Sequence, residues 1–212
     1  MDFLEFIKHV PKIEKETLLA AEAHKKMAPV ERVLAFSDDQ FNEIPPRRAA
    51  VMMLFYPKKK QTHLVLILRN SYSGVHSSQI AFPGGKVEID DESLAHTALR
   101  ETHEEIGIPP NQINIIKAFT EIYIPPSNFM VAPFLGISHK ELLFIEQIEE
   151  VAGIIELPLK DLMSDKIVVI KRMNTSYGDN IEVPSFKIGE HFVWGATAMM
   201  LSELKEVLKK VL

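Results

Sequence analysis

Two apolar runs of strand length, close together in the chain, constrain the fold more than any other feature of this sequence. Residues 49–56 read Ala-Ala-Val-Met-Met-Leu-Phe-Tyr, and residues 63–69 read His-Leu-Val-Leu-Ile-Leu-Arg. Short apolar runs bounded by turn residues are typical of strands buried in a sheet. The polar segment 57–61 between them predicts a turn, so that the two strands form a hairpin.

The rest of the chain mixes helices and strands without a regular βαβ alternation. A helix is predicted from Asp90 to Ile106, with Asp90 or Asp91 as its N-cap and Gly107 as its C-cap. Further strands are predicted at 113–119, 131–137, 153–157, 167–172 and 181–188, with a helical turn at 159–163 and a last helix at 196–212. This pattern predicts an α+β fold in which a mixed β-sheet lies between helices, an α/β/α sandwich.

The chain divides by composition near residue 45. Residues 1–45, with a predicted helix over Ile13–Met27 and a polar connector at 38–46, are expected to form an N-terminal helical extension that packs on the core. Residues 46–212 are expected to form the main domain. An extension of this kind can also pack on a second copy of the chain, so a homodimer is possible.

The charge and cysteine content exclude several classes of function. The 212 residues include 24 basic and 29 acidic side chains, for a net charge of −5, and no cysteine. Disulfides, thiolate metal sites and cysteine nucleophiles are therefore excluded. A bound metal would be held by oxygen or imidazole, which favours Mg²⁺ or Mn²⁺. The acidic balance argues against a nucleic-acid partner.

The start of the chain does not resemble a targeting segment. Residues 1–5 read Met-Asp-Phe-Leu-Glu, which places an acid early and lacks a basic start followed by an apolar core. Apolar runs in the chain stay well short of the roughly 20 residues that span a bilayer. We expect a cytoplasmic protein that makes no contact with a membrane.

Three carboxylates within one helical turn indicate a site for a divalent cation. Glu101, Glu104 and Glu105 have the i, i+3, i+4 spacing that places side chains on one face of a helix. Like charges at this spacing cost about 0.2–0.5 kcal/mol per pair, unless a divalent cation lies among them. Arg100 can clamp a neighbouring carboxylate, and Gly85 lets backbone carbonyls approach a metal. A solvated acidic face is the alternative interpretation, and the flanking glycines and the Arg-Glu pair argue against it.

This segment resembles the Nudix box, Gly-x5-Glu-x7-Arg-Glu-U-x-Glu-Glu-x-Gly-U, where U is a bulky aliphatic residue. The matching positions are Arg100, Glu101, Glu104, Glu105, Gly107 and Ile108. Thr102 replaces the first aliphatic residue of the pattern. Counted back from the arginine, the box glycine falls on Lys86, so Gly85 stands one residue early. The extra residue leaves two candidates, Asp91 and Glu92, for the outer carboxylate that pairs with the box arginine.

The inserted residue resembles the coenzyme A pyrophosphatase branch of the Nudix family, in which Phe-Pro-Gly-Gly precedes a lengthened loop. Other segments that resemble this branch are 23–29, 68–71, 79–85, 123–129 and 194–198. The resemblance implies the Nudix fold and metal-dependent hydrolysis of a nucleoside-linked pyrophosphate. Coenzyme A or its derivatives would be cleaved to 3′,5′-ADP and 4′-phosphopantetheine.

The resemblance also implies roles for individual residues. Metal coordination falls to Glu101, Glu104 and Glu105, aided by a backbone carbonyl near Gly85, and Arg100 orients the carboxylates. One of these glutamates serves as general base, but the pattern does not single it out.

Predicted contacts with the substrate come from outside the box, at Arg69, His76 and Ser127. Arg69 could instead pair with a surface acid, and His76 could instead organise its own loop. Glu150 is a candidate for a further carboxylate at the site.

Two other functions are compatible with the same residues. The chain could be a Nudix pyrophosphatase for another small-molecule nucleotide, such as an ADP-sugar, a dinucleotide polyphosphate or a damaged nucleotide, because selectivity lies outside the catalytic helix. It could also be a non-catalytic module that binds a nucleotide, although such a protein would be expected to lose its metal ligands.

Overall fold

The computed structural model describes residues 1–35, 44–70 and 79–212. Within these ranges the α-helices are α1 Phe3–Lys15, α2 Ala21–Lys25, α3 Val30–Ala35, α4 Leu94–Ile106, α5 Leu159–Met163 and α6 Gly195–Val211. The strands are β1 Arg47–Lys58, β2 Gln61–Arg69, β3 Ile80–Ala81, β4 Gly84–Lys86, β5 Asn114–Ala118, β6 Ile122–Ile124, β7 Phe129–Ile137, β8 Val151–Pro158, β9 Val168–Thr175, β10 Gly178–Ile188 and β11 His191–Val193. Among the described helices, none is long and apolar enough to cross a membrane.

The two apolar runs form the predicted hairpin. β1 and β2 pair antiparallel, with Phe55 opposite Leu64 and Lys58 opposite Gln61. The turn is shorter than expected, because strand pairing continues as far as Lys58. Its two central residues, Lys59 and Lys60, have φ values of 48° and 64°. Positive φ at both positions lets a two-residue turn match the twist of the strands.

β1 lies inside a mixed sheet that is covered on both faces. The sheet runs β3-β2-β1-β7-β5, with β4, β6 and β8 attached to it, and β1 pairs parallel with β7. Met53 and Phe55 face a core shared with α1 and α6, whereas Met52 and Leu54 face a core shared with α4. Burial on both faces explains why the strand reads as one continuous apolar run. The predicted α+β fold, with helices on both sides of a mixed sheet, is confirmed.

The predicted N-terminal helix over Ile13–Met27 is wrong. The first helix, α1, begins at Phe3 and ends at Lys15, and α2 begins only at Ala21. Between them Ala20 has a φ of 46°, which breaks the helical path. Tertiary packing decides these bounds, because the inner face of α1 is buried in the core that contains α6. The side chains that α1 buries there are Phe3, Phe6 and Ile13.

The helix that carries the box starts later than predicted. Ser93, rather than Asp90 or Asp91, is the N-cap of α4, and its Oγ accepts a hydrogen bond from the His96 amide at 3.1 Å. The predicted C-cap is confirmed, since Gly107 ends the helix with a φ of 73°.

The other predicted elements are present, with ends shifted by about one to three residues, as is usual for boundaries read from a sequence. Strands β3, β4, β6 and β11 were not predicted, because two or three residues show no periodicity. A smaller antiparallel sheet, β11-β10-β9, lies beside the main one.

Candidate active site

β1 and α4 bring the glycine pair of β4 against the box glutamates. Gly85 pairs with Ala50 of β1. The Gly84 amide donates a hydrogen bond to Glu105 Oε2 at 2.8 Å. A side chain at Gly85 would overlap the carboxylate of Glu101. Two residues of the box therefore lie directly on the backbone of the strand that precedes it.

Glu105 is the buried member of the three glutamates, with a side chain only 1% exposed. Burial raises the pKa of its carboxyl to about 8, although the Gly84 amide and the nearby Arg69 guanidinium act in the opposite direction. The charges of Glu101 and Glu150 add to the increase. A carboxylate in such a position gains most from a cation, because it has little water of its own.

Glu101 and Glu104 differ from Glu105 in exposure. Burial raises the pKa of Glu101, with Arg100 acting against the shift and Glu104 and Glu150 adding to it. The Glu104 side chain is 53% exposed, so its carboxylate can turn without leaving a cavity behind. The exposure of the three side chains thus increases from Glu105, in the interior, through Glu101 to Glu104, at the surface.

Arg100 joins the box carboxylates to the preceding loop. Its Nη1 donates to Glu101 Oε1 at 3.1 Å and to Glu104 Oε2 at 2.9 Å. Its Nη2 donates to the Lys86 carbonyl at 2.9 Å. These contacts fix the arginine between the helix and the end of β4.

Asp91, rather than Glu92, is the acidic partner of Arg100. Its two carboxylate oxygens accept from Arg100 Nε at 3.0 Å and Nη2 at 2.9 Å. It also accepts from the Thr97 hydroxyl and the Glu88 amide. The Arg100 guanidinium holds the pKa of Asp91 far below its usual range, despite the opposing effect of burial. The side chain of Glu92 is exposed.

The donor set fits a hard divalent cation. The available groups are carboxylate oxygens and, beside Glu101, the backbone at Gly85, where a Cβ would fill the space. Oxygen ligands of this kind suit Mg²⁺ and Mn²⁺. In the described part of the chain, no three carboxylates or imidazoles are grouped closely enough to hold a metal ion. At the box, the Arg100 guanidinium lies between the carboxylates of Glu101 and Glu104.

The comparison with protein families identifies the chain. The NUDIX domain model matches residues 46–174, which is more than half of the sequence. The chain belongs to the Nudix hydrolase family. Members of this family depend in general on a divalent metal ion and act on small nucleotide substrates.

Two curated relatives are similar over most of their length. A Nudix hydrolase NudL from Enterobacter sp. (strain 638), described as uncharacterized, is 34% identical over 163 residues, which cover 74% of this chain and 81% of the relative. An uncharacterized NudL from Yersinia pestis (strain Pestoides F) is 33% identical over 164 residues, which cover 76% of this chain and 79% of the relative.

Solved structures share the fold. RenU, a Nudix hydrolase from M. smegmatis, aligns with a TM-score of 0.55 at 15% identity and covers 82% of this chain and 93% of its own. A MutT/nudix family protein from Enterococcus faecalis aligns with a TM-score of 0.52 at 17% identity, and the alignment covers 92% of this chain and 76% of that protein. At these identities the likeness extends to the fold alone.

The three predicted substrate contacts lie in different places in this Nudix hydrolase. Arg69, at the end of β2, pairs with a box carboxylate, since its Nη1 lies 3.3 Å from Glu105 Oε1. Ser127 lies before β7, on the opposite side of β1 from Gly85, and its carbonyl accepts from Arg47. His76 lies outside the described residues. Only Arg69 is therefore seen next to the carboxylates.

Two contacts of the site were not predicted from the sequence. They are the Gly84 amide on Glu105 and the Lys86 carbonyl on Arg100. Both involve backbone groups, which carry no signal in a residue pattern. Glu150, a candidate for a further carboxylate from the sequence, lies in the segment after β7 that folds back onto the end of α4.

Proposed function

We propose that this Nudix hydrolase cleaves the pyrophosphate of coenzyme A or its derivatives, releasing 3′,5′-ADP and 4′-phosphopantetheine. Water adds to one phosphorus atom and the bridging P–O–P bond breaks. One observation supports this chemistry best. Arg100, anchored by Asp91, holds Glu101 and Glu104 beside the Gly85 backbone, while Glu105 is buried against Gly84.

Glu101, Glu104 and Glu105, with the backbone at Gly85, would hold Mg²⁺ or Mn²⁺. Such an ion neutralises phosphate charge and lowers the pKa of a bound water. Arg100 fixes the carboxylate rotamers through hydrogen bonds to two of them. Preorganised charge of this kind is the main source of catalysis in pyrophosphate hydrolysis, because negative charge develops on groups that are already anionic.

Glu150 is proposed as a fourth carboxylate at the site. It lies in a turn after β7, and its charge raises the pKa of both Glu101 and Glu105. The Gln147 amide, at the start of this turn, donates a hydrogen bond to the Glu105 carbonyl at 3.0 Å and so brings the turn to the end of α4. An added carboxylate there would increase the affinity for a cation or accept a proton from water.

Coenzyme A is proposed from the sequence around the site. The Phe-Pro-Gly-Gly segment at 82–85 is followed by a loop with one extra residue, which ends at the Ser93 cap. In the structure this loop brings Asp91 to Arg100, so the longer loop still supplies the outer carboxylate. Arg69 and Ser127 are proposed to contact the substrate, and His76 remains a prediction from the sequence.

Product analysis tests the substrate. The purified chain is incubated with coenzyme A, ADP-ribose and a dinucleotide polyphosphate, each with Mg²⁺ or Mn²⁺, and the products are separated by anion exchange and identified by mass. We expect 3′,5′-ADP and 4′-phosphopantetheine in equal amounts, and a kcat/KM for coenzyme A above those for the other substrates. A higher kcat/KM for ADP-ribose would reject coenzyme A but keep the hydrolase. Turnover of none of them would favour the nucleotide-binding module.

The remaining expectations stay predictions. They are the cytoplasmic location, the homodimer, and the division of the chain near residue 45. Gel filtration with light scattering measures the mass in solution and decides between monomer and dimer.

A further inference from the structure

The turn that carries Glu150 is closed by hydrogen bonds to Gln147. It follows an irregular segment after β7, and the Gln147 carbonyl accepts from the amides of Glu150 at 3.0 Å and Val151 at 2.8 Å. Within the turn the Glu149 amide donates to Gln147 Oε1 at 2.8 Å. These bonds close residues 147–150 into one compact unit, which we call the Glu150 turn.

Asn70 binds this unit at three successive carbonyls. Its Nδ2 donates to Ile148 O at 2.9 Å and to Glu149 O at 3.4 Å. Its backbone amide donates to Glu150 O at 2.8 Å. The side-chain amide has two hydrogens on nitrogen, so it can serve both carbonyls at once. An aspartate at this position would present only acceptors to them.

The residue directly before Asn70 reaches the buried box glutamate. Arg69, directly before Asn70, lies 3.3 Å from Glu105 through its guanidinium. The pairing of β2 with β8 shifts register between Leu68 and Arg69, which marks a bulge at this point. Bulges redirect side chains at the ends of strands and are frequent next to active sites.

The Glu150 turn also lies on the end of α4. The Gln147 amide donates to Glu105 O at 3.0 Å, and the Ile145 amide donates to Ile106 O at 3.0 Å. These bonds satisfy carbonyls that a helix leaves without partners at its C-terminus. Asn70, the turn and the end of the box helix therefore form one hydrogen-bonded unit.

We propose that Asn70 is a positioning residue that fixes the Glu150 turn against α4 and so sets the place of Glu150 relative to Glu105. The inference rests on the proposed function, because it gives Glu150 a part in the hydrolase site. Asn70 itself contacts backbone carbonyls and need not touch the substrate.

The decisive variant is Asn70→Asp, which keeps the shape of the side chain and removes its donors. We expect kcat to fall about 10- to 100-fold with little change in KM, the range typical for partners that orient a metal site. Asn111→Asp, at an exposed position of the 3-10 helix Pro110–Gln112, makes the same chemical change elsewhere and should leave kcat unchanged. Urea unfolding of each variant shows whether lost activity merely follows lost folded protein.

A double-mutant cycle links Asn70 to Glu150. If Asn70 acts through that carboxylate, the variant with both Asn70→Asp and Glu150→Gln is no slower than Glu150→Gln alone. Fully multiplicative losses would overturn the proposal. So would a kcat of Asn70→Asp within twofold of wild type, or a fall in kcat no larger than the fall in folded fraction.

Amide hydrogen exchange gives a readout that needs no turnover. The amides of Glu150 and Val151 should exchange faster in Asn70→Asp than in wild type or in Asn111→Asp. Unchanged exchange would overturn the proposal even if the enzyme is active. Faster exchange in a protein that cleaves none of the pyrophosphates would instead reject the proposed function and keep the role of Asn70 in the turn.

Discussion

Replacing Asp91 by asparagine tests whether the arginine of the box is anchored as the structure indicates. The Asp91 side chain is 1% exposed and that of Arg100 is 18% exposed, so the pair is largely shielded from water. The carboxylate accepts two hydrogen bonds from the guanidinium and two more from Thr97 and the Glu88 amide. The side chain of an asparagine accepts hydrogen bonds only at its oxygen. Its NH₂ group would therefore face the donors that the second carboxylate oxygen of Asp91 serves.

The expected loss is large for a single polar substitution. Breaking a buried ion pair by removing one partner costs about 3–5 kcal/mol. Because Arg100 keeps some exposure and its contacts with Glu101 and Glu104, we expect the lower end, about 3 kcal/mol of the unfolding free energy. Activity should also fall about 10- to 100-fold, because the guanidinium that orients two box carboxylates is no longer anchored.

Urea unfolding followed by circular dichroism measures the stability, and initial rates with Mn²⁺ measure the activity. Glu92→Gln is the matched control, since it removes the adjacent acid, whose side chain is exposed. It should change the unfolding free energy by no more than about 0.5 kcal/mol. A loss in Glu92→Gln equal to that in Asp91→Asn would refute the assignment of the outer carboxylate.

Three further predictions follow from the site and from the interior. Glu105→Gln should keep the fold by circular dichroism but lower kcat more than about 100-fold, since about 3 kcal/mol of charge stabilisation is lost; a rate within tenfold of wild type would contradict the role of Glu105. Gly85→Ala should displace Glu101 and lower kcat about 100-fold, whereas Gly153→Ala, where a Cβ meets open space, should leave it unchanged in the same assay. Glu203→Gln should lower the unfolding free energy at pH 7 by about 1–3 kcal/mol, because the buried carboxylate accepts from the Ala20 amide and from Thr120. Burial alone would raise the pKa of Glu203, but the neighbouring His24, whose Nε2 lies 3.5 Å from the carboxylate, and hydrogen bonds from Thr120 and the Ala20 amide outweigh it and lower the pKa. Its stabilisation is therefore present above the unfolded pKa of about 4.3 and is lost as the pH falls further, so urea titrations of wild type and variant should converge in acid; a constant difference down to pH 3 would contradict this.

Features with a local signal were predicted correctly from the sequence. The run at 49–56 is apolar at every position because β1 is covered on both faces, and Gly107 ends α4 because a left-handed residue is needed there. The N-cap of α4 was misplaced, since Asp91 has a good capping side chain but is used for Arg100 instead. A capping preference counts only when the side chain has no stronger partner elsewhere.

The hairpin, the box helix and the set of three glutamates follow from the sequence alone, because strand and helix periodicity depend on neighbours along the chain. Three contacts become visible only in the folded chain: Asp91 pairs with Arg100, Glu105 is buried under the Gly84 amide, and Asn70 holds the Glu150 turn. Such contacts join segments that are brought together by strand register and by the paths of the loops. Register and loop paths depend on how the whole core packs, so the order of residues within any one segment does not reveal these contacts.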